Sequence, residues 1–175
     1  MPIIVTLDIN TIAIKGTSMR VRFYANSNNL PYQPGLSGLL QAAITGGTTL
    51  LTSDFVTSTG AGTAFSYNVP VPAGYKAGVV TGNLLVPFQN SGDTGQSSTA
   101  LQIGDSASAT TFLASTELNA NGTYITNFGN GAVKVYNAAD NVIFKFTPTA
   151  GKKLSDLDTG VLDVEILLTS VQSVS

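Results

Sequence analysis

The 175-residue chain has no histidine, no cysteine and no tryptophan. Without cysteine there is no disulfide framework and no thiolate metal site. With histidine also missing, a protein zinc or copper site is close to excluded, because those metals are held by imidazole or thiolate. Only an oxygen-ligand cation such as calcium stays chemically open. The missing histidine also removes the usual proton acceptor for a serine nucleophile. Charge is sparse too: eight basic and ten acidic residues make up 10% of the chain and leave a net charge of −2. A nucleic-acid binder presents a basic stripe to phosphates. Here the longest basic run is Lys152-Lys153, and Arg20 and Arg22 share one face of a short strand. No nucleic-acid partner is expected. No segment approaches the roughly 18 apolar residues of a membrane span, and no membrane partner is expected.

The opening "MPIIVTLDINTIAIKG" lacks the basic n-region, long apolar core and small-residue cleavage site of a secretory signal. The expectation is a chain made in the cytoplasm that stays there, or leaves by lysis or an unmarked route. With so few charges, the polar surface must be built from Thr, Ser, Asn, Gln and Gly. Soluble monomers usually keep about a quarter of their surface charged. A surface this poor in charge suits a dense, repeated assembly or an extracellular setting.

What is present is strand signal. "IIVTLDINTIAI" (3–14) places Val5, Leu7 and Ile9 on one face and Thr6 and Asp8 on the other. "MRVRFYA" (19–25) alternates Met19, Val21 and Phe23 inward with Arg20 and Arg22 outward. "AFSYNVPV" (64–71) alternates Phe65, Tyr67 and Val69 against Ser66 and Asn68, and Pro70 and Pro72 stop it or mark a sheet edge. "AGVVTGNLLVPF" (77–88) is partly apolar on both faces, as a central strand can be. Shorter strands follow at 99–103, 122–128, 132–138 and 141–148, with a tight-turn signal at Asn130-Gly131. The last, 160–171, sets Leu162, Val164, Ile166 and Leu168 against a solvated face carrying Asp163 and Glu165. Two stretches offer helical turns: 35–45, and 108–118, where one turn or an irregular loop is anchored by Phe112 and Leu113. Loop 89–98 has no apolar residue and should be exposed. The fold class expected is all-β: an antiparallel β-sandwich, jelly-roll-like, in one domain over 1–175 with at most one or two short helical turns.

Gly104-Asp105-Ser106 is the one stretch that resembles a hydrolase signature. A serine–lysine pair would need a desolvated lysine, and none of the six lysines lies at a Ser-x-x-Lys spacing. The expected role is a turn: glycine frees the backbone, and Asp105 and Ser106 bond back to it. Catalytic, cofactor and metal residues are accordingly expected to be none. The carboxylates Asp156, Asp158, Asp163 and Glu165 offer the alternatives of a glycosidase acid–base pair or a calcium site.

The segment Ile103-Gly104-Asp105 through Phe112-Leu113-Ala114-Ser115-Thr116 resembles one found in small virion structural proteins of tailed bacteriophages. The resemblance is firmest over 99–147. It implies a β-sandwich with a capsid-decoration (cement) or head-fibre role, located on the virion after synthesis in the host cytoplasm. The major capsid protein is then the expected partner and a homotrimer the favoured assembly, since trimers suit three-fold lattice positions. The candidate contact residues are Ile3 and Ile4 in the first segment, and Leu30, Pro31, Tyr32 and Pro34 in the loop 26–35. A receptor- or carbohydrate-binding module of a tail fibre is the alternative, with Tyr75 and Tyr124 as candidate stacking rings.

Overall fold

The computed structural model describes residues 4–12, 16–25, 60–96, 99–118 and 133–171. Nine strands lie among them: β1 Ile4–Ile12, β2 Gly16–Tyr24, β3 Phe65–Val71, β4 Tyr75–Gln89, β5 Thr99–Gly104, β6 Leu113–Glu117, β7 Val133–Tyr136, β8 Asp140–Pro148 and β9 Thr159–Ser170. A 3-10 turn at Leu154–Asp156 is the only helical piece among the described residues.

The strands form two antiparallel sheets, β1-β2-β9-β4-β7 and β3-β8-β5-β6. The pairing is nested. β2 pairs with β9, β3 with β8, β4 with β7 and β5 with β6. The chain thus behaves as one long hairpin, with arms β2 to β5 and β6 to β9, rolled so that successive rungs fall in alternate sheets. That is the jelly-roll order, with β1 added beside β2 as a ninth strand.

Alternation explains which face each strand buries. β3 reads buried–exposed along its whole length, and β8 alternates Val142, Phe144 and Phe146 inward. Between the sheets the aromatic rings interlock. Phe23 of β2 meets Phe144 at 5.0 Å, Phe146 at 4.8 Å and the edge of Tyr67 at 5.9 Å between centroids. Such contacts add to the burial of large apolar area on both sheets. Register places Val5, Leu7 and Ile9 opposite Phe23, Val21 and Met19. Of these partners, Val21 and Phe23 are fully buried in the core. Gly160 is fixed by the same packing: its φ is +148°, and a Cβ there would lie 2.7 Å from the Phe88 ring.

Pro70 lies in β3, an edge strand, as its missing N–H requires. Three expectations need correction. Residues 113–117 form strand β6, because Leu113 pairs with Ile103 and Thr116 with Leu101; 108–112 and Leu118 are irregular. Loop 89–98 is not uniformly exposed: Gln96 is buried, its amide donating to the Lys153 carbonyl at 3.1 Å. Asp163 lies on the outer face, as expected, but is buried there rather than solvated. β2 brings Arg22 directly opposite it, and the guanidinium grips both carboxylate oxygens, through Nε to Oδ1 and through Nη2 to Oδ2 at 2.6 Å. The stretches 35–45 and 122–128 and the Asn130-Gly131 turn lie outside the described residues.

Candidate functional site

The residues Gly104 to Phe112 close one end of the sandwich. β5 delivers Ile103 into the core, and the chain then turns sharply back on itself. The Asp105 amide donates to the Ser108 carbonyl at 2.8 Å, and the Phe112 amide donates to the Ile103 carbonyl at 2.9 Å. The returning backbone crosses so close to Gly104 that a Cβ there would sit 2.1 Å from the Ser108 oxygen. Glycine is therefore required by space. Asp105 Oδ1 accepts from the Ala107 and Ser108 amides at 2.9 and 3.1 Å, fixing the turn. Phe112 and Leu113 then enter the core. The turn and the buried anchor expected for this segment are both present.

The other oxygen of Asp105 reaches the opposite sheet. It accepts from Lys134 Nζ at 2.8 Å and from the Tyr136 hydroxyl at 3.3 Å, both on β7. The Asp105 side chain is wholly buried, whereas Lys134 keeps about a third of its side chain in solvent, at 32%. Lys134 also lies 5.1 Å from the centre of the Tyr136 ring, within cation–π range. Burial alone would raise the Asp105 pKa. Hydrogen bonds from Lys134, Thr111 and the two turn amides outweigh it and hold the carboxyl at about 2. The Tyr136 phenol is pushed up, first by burial and then by the Asp105 charge.

Ser106 points outward and donates to Asp140 Oδ2 at 2.8 Å, at the start of β8. The Asp140 carboxyl lies below its ordinary range, chiefly because of that bond and then the Asn141 amide. A carboxylate of lowered pKa is a weak proton acceptor, which argues against activation of the serine by this pair. Chemically the cluster is a clasp: one buried anion held by a turn, an ammonium and a phenol, joining β5 of one sheet to β7 of the other.

The remaining sequence candidates fall elsewhere. Asp158 accepts from the Ser91 amide and hydroxyl at the opposite end of the sandwich. Asp156 lies in the 3-10 turn, and Asp163 is committed to Arg22. Glu165 stands opposite Arg20 in the β2–β9 register. Among the described residues these carboxylates form no group that could hold a metal ion. Tyr75 is half-buried against the core. Ile4 opens β1, an edge strand, opposite Tyr24. Ile3, Leu30, Pro31, Tyr32, Pro34 and Tyr124 lie outside the described residues.

Lys134, Tyr136 and Asp140 were not singled out from the sequence. One signal was available. In Val133-Lys134-Val135-Tyr136 the alternation is inverted, with the lysine sharing a face with the tyrosine that must be buried. A lysine on that face calls for a buried acid. No family model, no curated protein and no solved structure matches this chain.

Proposed function

We propose that this protein is a non-enzymatic virion component that binds the outside of an assembled phage capsid and stabilises it. The observation that carries the reading is the nested jelly-roll order of β2 to β9. This architecture serves viral capsid and lectin domains, among others, and it is the kind of β-sandwich that the phage resemblance implies. Fold alone does not give function, and two further features support the same reading. The surface carries little charge, 18 ionisable Lys, Arg, Asp and Glu residues in 175, so binding would rest on shape, apolar anchors and backbone hydrogen bonds. The motif Ile103 to Thr116 is built for rigidity, with its conspicuous polar residues engaged in holding a turn and joining the sheets. The N-terminal segment "MPIIVTL", with Ile3 and Ile4, and the loop 26–35 are the proposed contacts with the major capsid protein.

Mixing the purified protein with undecorated capsids and imaging the particles tests the proposal. Density at regular lattice positions is the expected result, with binding that changes little between low and physiological salt. Density confined to the tail or its vertex would favour an adhesin, and absence from particles would end the capsid reading.

A further inference from the structure

We infer that β7 is a strap latched to the sandwich by Asp105, and that acid releases it before the two sheets come apart. Among the described residues β7 pairs only with β4, over the short ladder from Tyr75 opposite Tyr136 to Gly78 opposite Val133. One further bond extends the ladder, from the Gly74 amide to the Tyr136 carbonyl at 2.8 Å. Val133 and Val135 are exposed, and Tyr136 is the one β7 side chain in the core. Lys134 and Tyr136, two positions apart, share the inward face. Both end on the same oxygen, Asp105 Oδ2. A short ladder, one buried ring and one shared carboxylate thus hold the strap. β8 differs: it runs nine residues, is paired on both sides by β3 and β5, and buries Val142, Phe144 and Phe146. Opening free energies vary across a fold, and short strands that bury little open first.

The groups around the Asp105 carboxyl come from three elements. Its own turn supplies the Ala107 and Ser108 amides and the Thr111 side chain, and these stay with it when β7 leaves. β7 supplies Lys134 and Tyr136. Asp140, at the start of β8, is the nearby negative charge. Lys76 stands opposite Val135 and is exposed on the other face of the sheet. Release therefore takes an ammonium and a phenol from the carboxylate and leaves the turn in place. Both partners favour the charged acid, so Asp105 is more acidic in the latched strap than in the released one. Such a group stabilises the latched form above its released-state pKa and stops doing so as the pH falls through its latched-state pKa. Once Asp105 is protonated, the Lys134 ammonium loses its counter-charge and, about a third exposed already, turns to water. This inference stands apart from the capsid reading.

Hydrogen exchange read by mass spectrometry at pH 5 and pH 2.5 tests it, with each rate referred to that of the unfolded chain at the same pH. At pH 2.5 the β7 amides should exchange through their own opening while β3 and β8 stay protected. Protection of β7 should fall severalfold, by about tenfold at most, because the turn keeps its share of the acid's stabilisation. In Asp105→Asn the strap should be loose already at pH 5 and no looser at pH 2.5. If that variant fails to fold, the parent's two measurements carry the test. β7 and β8 losing protection together would show that the sandwich opens as a unit and would overturn the inference. So would β7 protection that is the same at both pH values, or a pH dependence that survives in Asp105→Asn.

Discussion

The two ends of the sandwich use similar residues for opposite purposes. At the Gly104 end, one aspartate is buried and every contact it makes runs inward or across to the other sheet. At the other end, Asp93 accepts from Lys152 and from the Gly95 amide, and Asp158 accepts from Ser91, all in exposed or half-exposed loops. Both ends carry a Lys–Asp pair with the lysine about one-third exposed. The difference lies in the acid. A buried acid whose partner is removed becomes an uncompensated charge, whereas an exposed one is solvated by water at little cost. Two short Lys–Asp ion pairs therefore carry very different structural weight.

The comparison breaks most visibly at the anchor behind the clasp. Phe112→Ala should destabilise by about 3–5 kcal/mol, read from urea unfolding, because it empties a core site that the rigid turn cannot collapse into. A change near zero would mean that the turn does not depend on its plug. Asp105→Ala comes next. It strips partners from Lys134, Tyr136 and two turn amides, and should cost about 2–4 kcal/mol. Lys134→Met in the same background should then cost little, since the two residues act together.

The pH dependence sharpens the contrast. Asp105 has a folded-state pKa of about 2 against a reference of 3.8. A depressed carboxyl contributes stability that is complete above about pH 4 and is lost as the pH falls toward 2. The shift corresponds to roughly 2 kcal/mol. Asp93, Asp140 and Asp158 are also lowered, so acid unfolding of the parent sums several groups. The difference between the parent and Asp105→Asn, measured at pH 5 and again near pH 2, isolates the clasp. The gap between them should narrow on acidification; a constant gap would show that the asparagine fails through packing rather than charge.

The fold was largely legible because alternation is written into single strands. Val21 and Phe23, Phe65 to Val69, and Leu162 to Leu168 each announce a core face without help from a neighbour. β6 was not legible. Ala114, Ser115 and Glu117 lie exposed on an edge, and strand identity there comes from β5 pairing alone. The burial of Asp163 depends on the register that sets Arg22 opposite it, 141 residues away. The clasp depends on two sheets meeting: Asp105 and Lys134 are 29 residues apart and belong to different sheets. A one-dimensional pattern shows which way a side chain turns and is silent about what waits there.

The smallest expected effect is at the exposed end, and it is the control for the whole comparison. Lys152→Ala removes the ammonium from Asp93, whose carboxyl is held low chiefly by that bond and then by the Gly95 amide. Asp93 is solvated, so water can replace the lysine, and the turn keeps its Asn90 and Asp93 bonds to the Gly92 and Gly95 amides at 2.9 Å. Holding two flexible side chains together costs entropy that offsets most of what an exposed pair contributes. The melting temperature of Lys152→Ala should therefore match that of the parent, and raising the salt concentration should not separate the two. A drop comparable to that of Asp105→Ala would mean that the loops at this end are held as firmly as the clasp, and that burial of the acid is not what distinguishes the two ends.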